Sequence, residues 1–182
     1  MRTKPQDDDH VGFSGWRLLG LGFWQAWWMI SMCTDVLLPT TDRFPFAGNT
    51  TLWVLVLTTV GYLVVVALAR RLSPFLTHRA SFLAAGGLTA AGTVTLPIAL
   101  TLGSGAAGFT WFLAGTVSLS LGNALLLIMW GELWSALATG RVGRHLYVSY
   151  TFAFVLFFVA YALPEAAAVA FTAALPLSLI HI

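Results

Sequence analysis

The sequence predicts an all-α protein, a polytopic transmembrane helix bundle with five full spans and a truncated sixth. Three observations carry that expectation. Of 182 residues, 58% are hydrophobic and only 9% are Lys, Arg, Asp or Glu, against about 25% charged in a soluble domain. Six of the charges (Arg2, Lys4, Asp7, Asp8, Asp9 and Arg17) fall within the first seventeen residues, so too few remain to coat a globule in water. Long apolar runs separated by short turns follow, and the basic residues alternate between the turns. A soluble enzyme, a free-standing nucleic-acid-binding domain and a disordered chain are excluded on these grounds.

Residues 1–17 form a polar tail whose aspartates do not suit a cleavable signal peptide. Residues 18–38 are the first span, apolar and just long enough at about 1.5 Å per residue to cross a core of about 30 Å. Pro39 ends it. Residues 52–69 are the second span, stopped by Arg70 and Arg71. Residues 81–102 are the third, rich in Gly and Ala, with Pro97 near its far end where a membrane helix tolerates a kink. Residues 109–137 are the fourth and longest, and residues 146–163 the fifth, closed by Pro164. Residues 165–176 begin a sixth segment too short to span. Residues 177–182, Leu-Ser-Leu-Ile-His-Ile, resemble the translation of a transposon-derived sequencing adapter, so the natural C-terminus is expected to lie elsewhere and His181 to carry no functional weight.

Lys and Arg set the orientation. Arg2, Lys4, Arg17, Arg70, Arg71, Arg79, Arg141 and Arg144 fall on one side of these spans and Arg43 alone on the other, which places the N-terminus in the cytoplasm. The pI near 9.0 thus reflects cytoplasmic loops, not a nucleic-acid surface.

Polar groups within hydrocarbon are costly and mark candidate sites. In the first span Trp24, Trp28, Ser31 and Asp35 share one helix face, with Gln25 beside them near mid-membrane. They suit a ligand or proton site facing the bundle interior, or alternatively an aromatic belt with Asp35 reaching the outer interface. In the fourth span Asn123, Leu127, Trp130 and Trp134 form one stripe. Glu132 lies about half a turn out of phase with Asn123, so the two cannot share one small site. Glu132 is either a cavity group or the partner of Arg141 in an interfacial ion pair. Gly87 and Ala91 in the third span, and Ser118 and Gly122 in the fourth, have the small-residue spacing of close helix packing.

Cys33 is the single cysteine, which excludes an internal disulfide and a cysteine-based metal site. Asn49-Thr50-Thr51 matches a glycosylation sequon. No nucleophile and base pair, HExxH, phosphate loop or paired carboxylates are present. Neither enzyme activity nor a cofactor is expected.

Two segments carry a resemblance. The stretch Gly122-Asn123-Ala124-Leu125-Leu126-Leu127-Ile128-Met129-Trp130-Gly131-Glu132-Leu133 and the Trp-rich Gly22-Phe23-Trp24-Gln25-Ala26-Trp27-Trp28 look like bacterial membrane-bound LuxR-type regulators. In that family a twelve-helix major-facilitator-like region precedes a C-terminal helix-turn-helix that binds DNA. The six predicted segments are similar to one half of a major-facilitator fold, with its 3 + 3 inverted repeats. The resemblance implies a multi-pass protein of the bacterial inner membrane that senses an unknown small molecule. A second six-helix half and the DNA-binding domain would be missing from these residues, so DNA would be reached only through that domain. The alternative is the N-terminal half of a secondary transporter. Transporters of that superfamily carry Gly-x-x-x-Asp-Arg-x-Gly-Arg between spans two and three, whereas this chain has Ala69-Arg70-Arg71-Leu72-Ser73-Pro74 there. A partial echo, Gly140-Arg141-Val142-Gly143-Arg144, also lacks the Asp.

Overall fold

A computed structural model describes residues 15–34, 36–37, 50–103, 105–135 and 139–178. Most of the expected tail, Asp35, Asn49 and the last four residues lie outside them. Among the described residues six α-helices run in order: α1 (Gly15–Cys33), α2 (Thr50–Leu72), α3 (Arg79–Thr101), α4 (Ala106–Ser135), α5 (Thr139–Ala162) and α6 (Glu165–Leu177). A short 3₁₀ turn, Phe75–Thr77, sits between α2 and α3. No strand occurs among the described residues.

Four of these helices are long and apolar enough to cross a membrane: α2 over Leu52–Ala69, α3 over Arg79–Thr101, α4 over Ala106–Ser135 and α5 over Val142–Ala162. The sequence predicts a fifth in α1, which is not among them. Its 19 residues hold Arg17, Gln25 and four tryptophans, and an indole with its N–H contributes little to a hydropathy sum. The 13 residues of α6 reach only about 20 Å at 1.5 Å per residue.

The turns follow local chemistry. Ser73 precedes Pro74, and the proline ring disfavours an α conformation there, so α2 ends at Leu72. Gly103 closes α3 in the left-handed region at φ 75°, where a side chain would be strained. A Cβ on Gly108 would collide with the Gly103 carbonyl. The α3–α4 turn therefore depends on both glycines. Pro97 lies inside α3 without ending it.

The packing places α4 at the centre, against both α2 and α3, while α1 packs on α5 and α6, and α6 also packs on α3. A smaller contact joins α5 and α6. Over an apolar stretch of 18 residues in each helix, 56% are buried in α4 against 17% in α5. The outward faces of α2 and α5 are lined by side chains such as Leu63, Val66 and Phe158, all more than half exposed. An apolar surface of that extent suits hydrocarbon rather than water.

The closest seam joins α3 and α4. A Cβ on Gly122 would meet the Thr89 nitrogen at 2.6 Å, and one on Gly92 would meet the Leu119 nitrogen at 2.6 Å, so backbones approach where side chains are absent. Ser118 adds a hydrogen bond from its hydroxyl to the Leu88 carbonyl at 2.9 Å. The other two expected packing residues lie elsewhere. A Cβ on Gly87 would meet nothing within 4 Å, and Ala91 is exposed. The α3 seam runs through Ala85, Thr89, Gly92 and Leu96, all buried. Gly87 and Ala91 each lie two residues beyond a seam position, about 200° around the helix.

Four buried hydroxyls are satisfied within their own helices: Ser31 donates to the Trp27 carbonyl, Thr89 to Ala85, Thr116 to Phe112 and Thr172 to Ala168. This back-bonding lets polar side chains sit in the core without orphaned donors.

Candidate ligand cavity

Three polar side chains from α1, α2 and α4 meet in one buried hydrogen-bonded chain. Trp24 donates its indole N–H to Oδ1 of Asn123 at 2.9 Å, and Asn123 donates from Nδ2 to the Tyr62 hydroxyl at 3.3 Å. One side-chain chain thus ties α1, α4 and α2 together. Asn123 is fully buried and Trp24 is 8% exposed, so these bonds are shielded from competing water. A second tie runs from the Trp27 indole to Thr93 Oγ1 at 2.9 Å, and a third from Thr58 to Ser120 at 3.2 Å.

Beside this chain lies a partly open cavity of about 330 Å³. Five aromatic side chains line it: Trp24 and Trp28 from α1, Tyr62 from α2, Trp134 from α4 and Tyr150 from α5. Gln25 supplies a carboxamide, and Leu21, Leu127 and Leu146 fill the rest of the wall. None of these lining residues is charged. The cavity extends from the middle of the bundle, at Gln25 and Tyr62, toward the end where α4 finishes at Ser135. Its volume is at the small end of ligand sites, which run from about 300 to 1,000 Å³.

The structure brings together Trp24, Gln25, Trp28 and Trp134 of the residues singled out in the sequence, with Asn123 behind the wall as the group that orients Trp24 and Tyr62. Trp130 is not in the wall. It is 9% exposed and belongs to the packed core, because a position three residues past Leu127 sits about 60° around the helix, whereas Trp134, seven residues on, returns to the same face. Asp35 lies outside the described residues.

Glu132 is placed away from the cavity and holds a loop. Its Oε1 accepts from the Ser73 hydroxyl at 2.8 Å and the Phe75 amide at 3.1 Å, and its Oε2 from the Leu76 amide at 3.2 Å. The carboxylate caps the 3₁₀ turn between α2 and α3, where free amides point outward. This replaces the cavity role read from the sequence. The side chain of Arg141, its other expected partner, lies outside the described residues.

Sequence reasoning missed Tyr62, Tyr150 and the Trp27–Thr93 pair. A signal for Tyr62 existed in α2, where Val54, Thr58, Gly61 and Val65 form one buried stripe and Tyr62 follows Thr58 by one turn.

Among the described residues, no group of three His, Cys, Asp or Glu side chains is placed to hold a metal ion. Searches against family models, curated proteins and solved structures return no match for this chain. What fold and cavity define is a class: an all-helical bundle with four helices able to cross a membrane and an uncharged, aromatic cavity between α1, α2, α4 and α5.

Proposed function

We propose that this bundle is the membrane sensor region of a LuxR-type transcriptional regulator, built as the N-terminal half of a major-facilitator-like fold. One observation carries the reading. The two segments on which the resemblance rests, residues 22–28 and 122–133, meet in space through the Trp24–Asn123 hydrogen bond and share one cavity wall. Residues that look unrelated along the chain thus form a single site suited to a small molecule. A ligand preferring one arrangement of these helices would bias an attached cytoplasmic DNA-binding domain.

The helix packing supports the scaffold. Exchanging α1 with α4, α2 with α5 and α3 with α6 turns the α1–α5 packing into α4–α2 and α1–α6 into α4–α3, and leaves α3–α6 unchanged. That is the pattern expected of 3 + 3 repeats; only the small α5–α6 contact stands outside it. In this reading α1 is a fifth span despite its tryptophans, since it packs along α5 and α6 with Trp27 and Ile30 fully buried. The N-terminus is cytoplasmic, the membrane is a bacterial inner membrane, and the cavity lies toward the cytoplasmic end.

A half transporter is the second reading, and the same pseudo-symmetry favours it equally. The α2–α3 loop separates the two. It lacks the Gly and Asp of the transporter pattern and is tied to α4 by Glu132. Reading the genomic locus past residue 182 decides between them. The sensor reading expects six more helices and then a helix-turn-helix; an open reading frame that ends soon after its last span rejects it.

A further inference from the structure

We infer that the cavity binds an uncharged, flat aromatic molecule of one or two rings that carries a hydrogen-bond acceptor, and that the Tyr62 hydroxyl is the donor that selects it. The inference deepens the sensor reading above and rests on it for its biological sense, but not for its test.

The argument starts from the direction of the buried hydrogen bonds. An asparagine's oxygen and nitrogen are hard to distinguish by shape, but an indole N–H can only donate. Trp24 therefore requires Oδ1 of Asn123 on its side, at 2.9 Å. That leaves Nδ2, which can only donate, facing Tyr62 at 3.3 Å. The Tyr62 oxygen accepts this bond, so its own proton points elsewhere, and Tyr62 lines the cavity. The network thus orients the Tyr62 O–H from behind by a fully buried amide. The Tyr150 hydroxyl and the Trp28 and Trp134 indoles, also in the wall, have no such support among the described residues.

A second observation is independent of the first. The Gln25 carboxamide also lines the cavity and has no hydrogen-bond partner among the described residues. A polar group near mid-membrane without a partner is costly, and a ligand that meets it recovers that cost. Gln25 both donates and accepts, so it tolerates either kind of group; Tyr62 does not.

The remaining wall sets shape and charge. Five aromatic rings favour a π-surface that stacks or meets ring edges. A cation would also be attracted to those rings, by about 0.5 to 2 kcal/mol. Among the described residues no carboxylate lines the cavity to offset the larger cost of bringing a charge to membrane depth. The volume of about 330 Å³ limits the occupant to a small ring system.

The test uses the 182-residue chain in phosphatidylcholine nanodiscs, with empty discs as the correction for lipid partition, and equilibrium dialysis of two neutral bicyclic probes. Coumarin has a carbonyl acceptor; naphthalene has none. Coumarin is expected to be retained above empty discs and to bind at least roughly fivefold more tightly than naphthalene, the worth of one hydrogen bond. Tyr62→Phe is expected to weaken coumarin by roughly five- to tenfold and to leave naphthalene within about twofold, with an unchanged near-ultraviolet circular dichroism spectrum. Tetraethylammonium is expected not to displace coumarin. Equal binding of the two probes, loss of both in a folded Tyr62→Phe variant, or displacement by tetraethylammonium each overturns the proposal. Should Tyr62→Phe fail to fold, equal binding of the two probes by the unaltered chain still overturns the proposal, and Gln25→Leu, expected to keep a coumarin preference of roughly fivefold, tests the donor in its place. Loss of the preference in that variant overturns the proposal. The genomic locus tests the sensor reading and dialysis tests the ligand class, so either can fail while the other stands.

Discussion

The indole of Trp24 and the carboxamide of Asn123, 99 positions apart in sequence, share a buried hydrogen bond of 2.9 Å that joins α1 to α4. Asn123 also holds Tyr62, so this one side chain sets the relative positions of three helices around the cavity.

Asn123→Leu should therefore lower stability by about 1–2 kcal/mol, the range that buried interhelical hydrogen bonds reach in membrane proteins. A double-mutant cycle with Trp24→Phe, read by unfolding in mixed micelles, should give a coupling energy of about 0.6 to 1.7 kcal/mol. Strict additivity of the two substitutions would show that the bond contributes nothing.

Glu132 should act on the α2–α3 loop rather than on ligand binding. With its three accepted hydrogen bonds removed, Glu132→Ala should speed amide exchange at Phe75 and Leu76 by roughly tenfold or more, about 1.4 kcal/mol of local protection. Coumarin binding should stay unchanged. Hydrogen–deuterium exchange by mass spectrometry checks the loop, and unchanged exchange there would mean that the cap does not hold it.

Two glycine substitutions should have opposite outcomes. Gly122→Ala forces a methyl group toward the Thr89 backbone, which would lie 2.6 Å away, and should cost about 1–3 kcal/mol as α3 and α4 separate. Gly87→Ala meets open space and should be neutral or stabilising by up to about 1 kcal/mol, the helix preference of Ala over Gly. Thermal unfolding of the two variants in one detergent compares them directly.

The orientation can be read by labelling. In a Cys33→Ser background, a cysteine at Ser73, in the loop after α2, should be protected from a membrane-impermeant maleimide in intact cells. One at Gly105, in the turn before α4, should react. The reverse pattern would invert the topology derived from Arg70, Arg71, Arg79, Arg141 and Arg144 against Arg43.

The apolar runs made the helices legible, because a run of about twenty residues without charge admits few alternatives in a bilayer. Predicted and observed limits agree within a few residues for α2, α3, α4 and α6, whereas α5 starts at Thr139, seven residues before the expected Leu146, since the polar stretch around Arg141 and Arg144 is helical as well. The first helix was legible as a helix, but Arg17, Gln25 and its tryptophans leave it outside the apolar set that length and composition define. The site was half legible. Trp24, Gln25, Trp28 and Trp134 stood out as polar or amphipathic residues within apolar runs, while Tyr62 and Tyr150 did not, because a tyrosine in a membrane helix is as readily placed at the interface.

What the sequence by itself determined was the number and limits of the apolar segments, the scarcity of charge and the alternation of basic residues, all of which are local or additive properties of the chain. Rotation of each helix about its axis was decided only by tertiary structure. Gly87 and Gly122 are alike in sequence, yet one faces outward and the other presses on Thr89; Trp130 and Trp134 lie one turn apart, yet only Trp134 lines the cavity. In a membrane helix, apolar residues cover both the lipid-facing and the protein-facing sides, and the hydrophobic pattern that orients a helix in a soluble protein is largely lost. Close backbone contacts and a few buried hydrogen bonds set the rotation instead, and each of them needs a partner from a distant part of the chain.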